Sequence, residues 1–234
     1  MDGRAECASI LLMYNADVDA MHCLNKDTPL TLALKFEHKS IAMTLIMAKA
    51  NPNLGQEKSA LDIVLMKDVV DMHLAGFLIK HGARDHKRIN KDFSSLLIAA
   101  ARRDTMLVEM IKPVSDYGMD CIIGSYWSML QVSVYDVVSI FGKRFEVPVD
   151  PNFTIYLMEN GCSLDLFPRN HQCHIETILT SEIEKRRRWL QGVSTPETEQ
   201  ARQKFEKKKK AFEDILHTIG ELRKRRDFQE RERE

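Results

Sequence analysis

The densest group of potential metal ligands or nucleophiles in the sequence is His171-Gln172-Cys173-His174. A structural zinc site needs four Cys or His ligands, which usually come from paired spacings. The sequence has no Cys-x-x-Cys and no second pair near this group. A Cys–His nucleophile pair would also need an orienting residue, and none accompanies it. We therefore interpret the segment as a loop or helix entry, with metal binding as the alternative.

Other catalytic patterns are missing from the sequence as well. Neither G-x-G-x-x-G nor G-x-x-x-x-G-K, the glycine-rich loops that bind phosphate groups, occurs in it. We therefore predict a protein that is not an enzyme and that uses no cofactor and no metal.

Composition narrows the class of protein. The 234 residues are 44% hydrophobic and 29% charged, which is enough apolar material for a core beneath a charged surface. No apolar run reaches about 18 residues, so we expect no membrane span. The start MDGRAECAS lacks the features of a signal peptide. Five irregularly spaced cysteines suit reduced thiols, which favours a cytoplasmic or, alternatively, a nuclear location.

The chain repeats itself at a nearly constant interval. Similar apolar segments (TPLTLAL, SALDIVL, SSLLIAA and SMLQVSV) begin at Thr28, Ser59, Ser94 and Ser128, which are 31, 35 and 34 residues apart. A second apolar segment and a turn rich in Asn, Gly and Asp recur with the same spacing. This period predicts a solenoid of helix-turn-helix units, each of which buries its apolar face against its neighbours.

These segments resemble the ankyrin repeat, whose first helix carries the signature T-P-L-H-x-A. Residues 25–53 match best, and the resemblance covers roughly residues 8–167. Only the first full unit has Thr-Pro, and the segment FGKRFEVPVDPN (141–152) is inserted between the helices of the fourth. The resemblance implies an all-α, ankyrin-type repeat solenoid that acts as a protein-binding scaffold.

The pattern divides the chain into four segments. Residues 1–20 form a partial N-terminal repeat, 21–167 ankyrin-like repeats, 168–194 a cap or linker, and 195–234 a charged helical tail. The chain enters in the second helix of a unit, which would expose core at that end. We expect either a fragment of a longer protein or a naturally ragged first unit.

Equivalent positions of the repeats predict a common core. One row of stacked side chains contains Leu30, Leu61, Leu96 and Leu130. A second row contains Leu32, Ile63, Ile98 and Val132.

The ankyrin resemblance also implies where a partner binds, since such repeats hold ligands with hairpin tips and the concave face of the first helices. Carried onto this sequence, the partner-binding residues are Asn25, Lys26, Asp27, Glu57, Lys58, Asp92, Phe93, Tyr126 and Trp127. The three aromatics stand at positions that are usually solvated, and aromatic side chains anchor many interfaces. The alternative is that each aromatic packs onto its own or the next repeat.

The C-terminal segment predicts a long charged helix. Ser194-Thr195-Pro196-Glu197 has a hydroxyl cap, a proline and an acid, which together indicate a helix start. Phe205, Phe212 and Ile219 recur every seven residues, over fewer heptads than the roughly three to four that indicate a coiled coil. The apolar stripe predicts docking on the solenoid or, equally, pairing with a partner helix.

The tail is also the basic part of the chain. From Glu182 onward it has 16 basic and 12 acidic residues, although the whole chain has 34 of each. Basic runs at 185–188, 207–210 and 223–226 suit a solvated helix, an import signal, or contact with phosphate or a membrane surface. Acidic residues are interspersed among the basic ones and no base-stacking platform is visible, so nucleic-acid binding ranks last.

We predict that the protein as a whole is a protein-interaction module. The alternative is a regulatory or assembly segment of a larger channel or enzyme subunit.

Overall fold

The computed structural model describes residues 3–24, 26–55, 58–86, 94–119, 122–123, 127–140, 143–163, 175–191 and 199–231. These residues contain eleven α-helices and two short antiparallel hairpins. The chain divides into two compact units. The first is Met1–Ala99 with Thr105–Gly118, and the second is Ala100–Asp104 with Met119–Glu234.

The first unit is built from helix pairs, and its boundary crosses α6. In chain order the helices are α1 (Gly3–Met13), α2 (Pro29–Lys35), α3 (Lys39–Met47), α4 (Ala60–Leu65), α5 (Met72–Lys80), α6 (Ser95–Ala101) and α7 (Thr105–Ile111). α2 packs on α3 and α4 on α5, while α2 also contacts α4, and α1 contacts α3. This helix-turn-helix arrangement is the predicted one.

Three of the four first helices of the repeats begin in the same way. At each start, the side chain of the N-cap residue accepts a hydrogen bond from the backbone N–H of the third helical residue. The side chain of that third residue in turn accepts a hydrogen bond from the backbone N–H of the N-cap residue. The pairs are Thr28 with Thr31, Ser59 with Asp62, and Ser128 with Gln131. The recurring sequence segments are therefore recurring helix caps.

The predicted core rows are largely buried. Leu30, Leu61 and Leu96 have no exposed surface, and Leu130 is 4% exposed. In the second row Ile63, Ile98 and Val132 are buried, whereas Leu32 is half-buried.

Polar side chains join neighbouring repeats in the first unit. Ser95 Oγ donates to Asp62 Oδ1 (2.6 Å), which lies 33 residues earlier. Asn53 Nδ2 donates to Gly82 O (2.8 Å), and Arg84 N donates to Asn53 Oδ1 (2.9 Å). Each bond spans about one repeat, so these hydrogen bonds fix the register in which the repeats stack.

Asp85 is a buried carboxylate that connects three parts of the first unit. It accepts hydrogen bonds from Ser95 N (2.9 Å) and Leu96 N (3.1 Å), which are free N–H groups at the start of α6. It also accepts one from Ser115 Oγ (2.9 Å), and its backbone pairs with the chain after α7. Asp85 has no exposed surface, so these bonds replace its lost hydration.

The second unit combines helices with two hairpins. Its elements are β1 (Ile122–Ile123), β2 (Trp127–Ser128), α8 (Met129–Val134), β3 (Val137–Ile140), β4 (Lys143–Glu146), α9 (Pro151–Glu159), α10 (Ile175–Gln191) and α11 (Glu199–Arg231). The predicted insertion at 141–152 holds β4 and the start of α9, and β4 pairs with β3 in register from Val137↔Glu146 to Ile140↔Lys143.

The predicted charged tail is α11, a helix of 33 residues. It packs against α9 and α10 through Phe212, Ile215 and Ile219, whose exposure is 1% or less. Of the two expectations for its apolar stripe, docking within the chain is the one observed. α10 lies in the segment 168–194, predicted as a cap or linker, and contacts α8 and α11.

Truncating a core row should destabilise the protein strongly. We expect Leu61→Ala or Leu96→Ala to lower the free energy of unfolding by ~2–5 kcal/mol, because each leaves a cavity where the side chain is fully enclosed. Urea unfolding measures this loss. Lys80→Ala, on the exposed end of α5, is the control and should change stability little. Equal effects of the core and control variants would contradict the stacking register.

Removing the Asp85 carboxylate should also destabilise the first unit. Asp85→Ala leaves two buried N–H groups and a hydroxyl without this acceptor, so we expect a loss on the order of 3 kcal/mol in urea unfolding. Asp85→Asn keeps an acceptor oxygen and should lose less. An alanine variant as stable as the wild type would show that the carboxylate is dispensable.

Candidate partner-binding surfaces

The first predicted tip contains residues with opposite environments. Lys26 is exposed and has a left-handed backbone (φ 53°). Asp27 is buried, and both of its carboxylate oxygens accept hydrogen bonds from Lys35 Nζ (2.6 and 2.7 Å). Asp27 therefore joins the chain before α2 to the last residue of that helix. Its burial counts against the predicted role in partner binding. Asn25 lies outside the described residues.

The remaining tip residues are described only in part. Lys58 is half-buried. Trp127 lies in β2, where its backbone pairs with Ile123; its side chain is outside the described part of the structure. Glu57, Asp92, Phe93 and Tyr126 also lie outside it. The aromatic tip surface therefore stays a prediction.

The potential metal group at residues 171–174 likewise lies outside the described residues. Among the residues that are described, no cluster of three or more His, Cys, Asp or Glu side chains has a metal-binding arrangement. The helices in the same part of the chain include none with the length and apolar character needed to cross a membrane.

Three of the four first helices of the repeats have no exposed residue. Every residue of α4, α6 and α8 is buried. Their polar side chains bond internally, as in Ser133 Oγ, which donates to Leu130 O (2.7 Å). These three helices therefore offer no exposed side chain, whereas α2 exposes Lys35 and leaves Pro29 and Leu32 half-buried.

The N-terminal unit, whose apolar face was expected to be exposed, has several exposed apolar residues. Six large apolar side chains between positions 10 and 24 are 52 to 84% exposed. Ile10, Leu11 and Met13 lie at the end of α1, and Tyr14 follows it directly. Met21 and Leu24 lie in the turn segment before α2. We call these six residues the N-terminal apolar surface. It reaches the first predicted tip, since Leu24 precedes Asn25 and Lys26.

The basic runs of α10 and α11 are mostly engaged in ion pairs. In the run 185–188 Lys185 pairs with Glu182, and Arg187 and Arg188 pair with Glu184. In the run 207–210 two of the four lysines are paired, Lys208 with Asp136 and Lys209 with Glu213. In the run 223–226 Arg223 pairs with Glu176, and Lys224 with Glu221. These contacts favour the interpretation of a charged helix over that of an open polycationic surface.

Arg186 is also ion-paired, but it differs from the other basic residues of these runs because it is buried where α10 meets α11. Its Nη1 donates to Glu182 Oε2 (2.6 Å), and its guanidinium lies 4.9 Å from the centre of the Phe212 ring and 5.9 Å from that of Phe205. Burial opposes the charged form of Glu182, but hydrogen bonds from Arg186 and Lys185 outweigh it and lower the pKa of Glu182 below its usual 4.5. The charged pair thus helps to hold α11.

The Glu182–Arg186 pair should make stability depend on pH in the acid range. A lowered carboxyl pKa stabilises the folded state above pH 4.5, and the effect disappears as pH falls through the folded-state pKa. We expect Glu182→Gln to lower the melting temperature at neutral pH and to match the wild type in strong acid. Circular dichroism melts over this range test it, with the more exposed Glu184→Gln as control. A difference that persists in strong acid would contradict this role.

Comparison with known proteins gives the class of fold. No family model matches the sequence, and no curated protein matches it. The structure is similar to a crystal structure of an ankyrin repeat protein, with a TM-score of 0.61 and 15% sequence identity, over 92% of this chain and 94% of the other. The fold is therefore the ankyrin-type repeat solenoid that the sequence resemblance implied.

Proposed function

We propose that the protein is a non-catalytic interaction module that binds a protein partner through the N-terminal apolar surface. The observation that carries the proposal is the exposure of its six large apolar side chains. Large exposed apolar side chains that are grouped in one short segment favour a contact site, whereas scattered exposed apolar residues are ordinary. An ankyrin-type fold suits this role, since its repeats provide a rigid support for recognition.

The composition of the surface favours a protein as the bound molecule. Tyr14 and Leu24 are both more than four-fifths exposed. Tyrosine has an apolar ring with a polar tip and often anchors protein interfaces. The exposed Lys26 beside Leu24 supplies a charged margin to the apolar centre. A reduced cytoplasmic or nuclear setting fits the exposed thiols of Cys7 and Cys23.

The surface is not needed to hold the first unit together. None of the described side chains of α1 is fully buried, whereas α3 buries Ala42, Leu45 and Ile46. Polar substitution at Tyr14 or Leu24 should therefore leave the core intact. A loss of binding in such a variant can therefore be told apart from a loss caused by unfolding.

We expect Tyr14→Ser with Leu24→Ser to abolish capture of the principal partner while leaving the melting temperature nearly unchanged. The matched control is Met47→Ser with Met106→Ser, which removes two apolar side chains of similar exposure elsewhere in the first unit. Cross-linking and mass spectrometry of the captured proteins compare wild type, variant and control. Light scattering shows whether the captured protein is a second copy of this chain.

Two outcomes would count against this placement of the site. If the control loses capture as fully as the variant, the binding is unspecific adhesion to apolar surface. If the variant captures the partner normally, recognition lies elsewhere. Tyr126→Ala with Trp127→Ala then tests the predicted aromatic tips.

A further inference from the structure

A groove in the second unit runs along α11. It lies between this helix and the chain from β4 to the start of α9, and its volume is about 850 Å³. Its helix side extends from Lys204 to Asp214, or about 15 Å at 1.5 Å per residue. This volume is in the range of ligand-binding sites, roughly 300–1,000 Å³.

One wall of the groove is apolar and held in place by hydrogen bonds. Val147, Pro148, Val149 and Pro151 line it opposite Ala211. The backbone N–H groups of Val147 and Val149 donate to Asp136 O (2.9 Å) and Asp136 Oδ1 (3.1 Å). Asp136 also pairs with the half-buried Lys208 of α11. The wall is thus formed without a ligand.

The other wall carries positive charges that have no partner. Among the basic residues of α10 and α11 whose side chains the structure describes, four make no ion pair: Lys204, Lys207, Lys210 and Arg225. Three of these four line the groove. Its carboxylates Asp136 and Glu146 are already paired, with Lys208 and Arg144. Asp214 is therefore the one lining acid not paired to a cation, against three free lysines.

We propose that this groove binds an acidic segment of a partner protein. An apolar side chain of the segment would lie on the Val147–Pro151 wall, and its carboxylates would pair with Lys204, Lys207 and Lys210. The free lysines select negative charge, and the apolar wall favours a peptide over a bare phosphate group. The site is in the second unit and is independent of the N-terminal apolar surface.

The spacing of the lysines fits an extended peptide. Lys204 and Lys210 are about 9 Å apart along the helix axis. Side chains on one face of an extended strand repeat about every 6.6 Å. The flexible stems of lysine accommodate the difference between these two distances.

The test uses the full-length chain and a fluorescein-labelled peptide array. Each short peptide has a central leucine flanked by glutamates at varied spacing, and matched peptides carry glutamine instead. We expect some glutamate peptides, and none of the glutamine peptides, to bind in fluorescence anisotropy titrations. The charge-reversal variant Lys204→Glu, Lys207→Glu, Lys210→Glu should weaken the best peptide by about tenfold or more.

The matched control is Arg202→Glu, Lys224→Glu, Arg225→Glu, which changes the net charge of α11 equally but outside the groove lining. It should bind the peptide nearly as tightly as the wild type does.

A second variant tests the apolar wall. Val147→Ser with Val149→Ser keeps the backbone hydrogen bonds and should weaken the binding of the peptide without weakening the binding of polyphosphate. Circular dichroism verifies that each variant is folded.

Several results would overturn the proposal. One is that no glutamate peptide binds. Another is that the control variant weakens binding as much as the groove variant, which would show attraction to the net charge of α11. A third result has two parts: polyphosphate or phosphoinositide vesicles bind as tightly as the best peptide, and the valine variant binds both the peptide and the polyanion as the wild type does. This result would show a site for polyanions in general.

Discussion

Short helices do not persist alone in water, and the first helices of these repeats have only six or seven residues. They exist because each start is capped and each residue of α4, α6 and α8 is enclosed. Burial in turn requires that every polar group in the stack has a partner. Residues that are neither buried in the stack nor hydrogen-bonded within it are the ones available to a partner.

Buried carboxylates meet this requirement in the first unit. The Asp62 carboxylate accepts hydrogen bonds from the N–H and the hydroxyl of Ser59 at the start of its own helix, and a further one from Ser95 of the next repeat. Asp85 caps α6 from the preceding turn. A slip in stacking would leave these charged groups buried without their donors, which is costly. Polar contacts therefore fix the register of the first unit, and the leucine rows contribute to its apolar burial.

The sequence predicted those features that depend on neighbours along the chain. The recurring Thr28, Ser59 and Ser128 predicted where helices start, and the recurring leucines predicted the core. The inward position of Asp27 was missed, since it depends on Lys35, eight residues away. The groove along α11 was also missed. Its apolar wall comes from residues more than fifty positions before Lys204, and the basic run 207–210 does not reveal that Lys208 pairs with Asp136 while Lys207 and Lys210 stay free.

The one-repeat span of the inter-repeat hydrogen bonds bears on how the chain folds. Each bond closes a loop of nearly equal length, from 29 residues for Asn53–Gly82 to 33 for Asp62–Ser95. The entropy lost when each repeat adds to its neighbour is therefore similar. Folding can start at any repeat and propagate to the adjacent one. In the second unit, the β3–β4 hairpin lengthens the connection between α8 and α9. Because closure entropy grows with the logarithm of loop length, about 0.6 kcal/mol per doubling, the stack can accept long insertions between its helices.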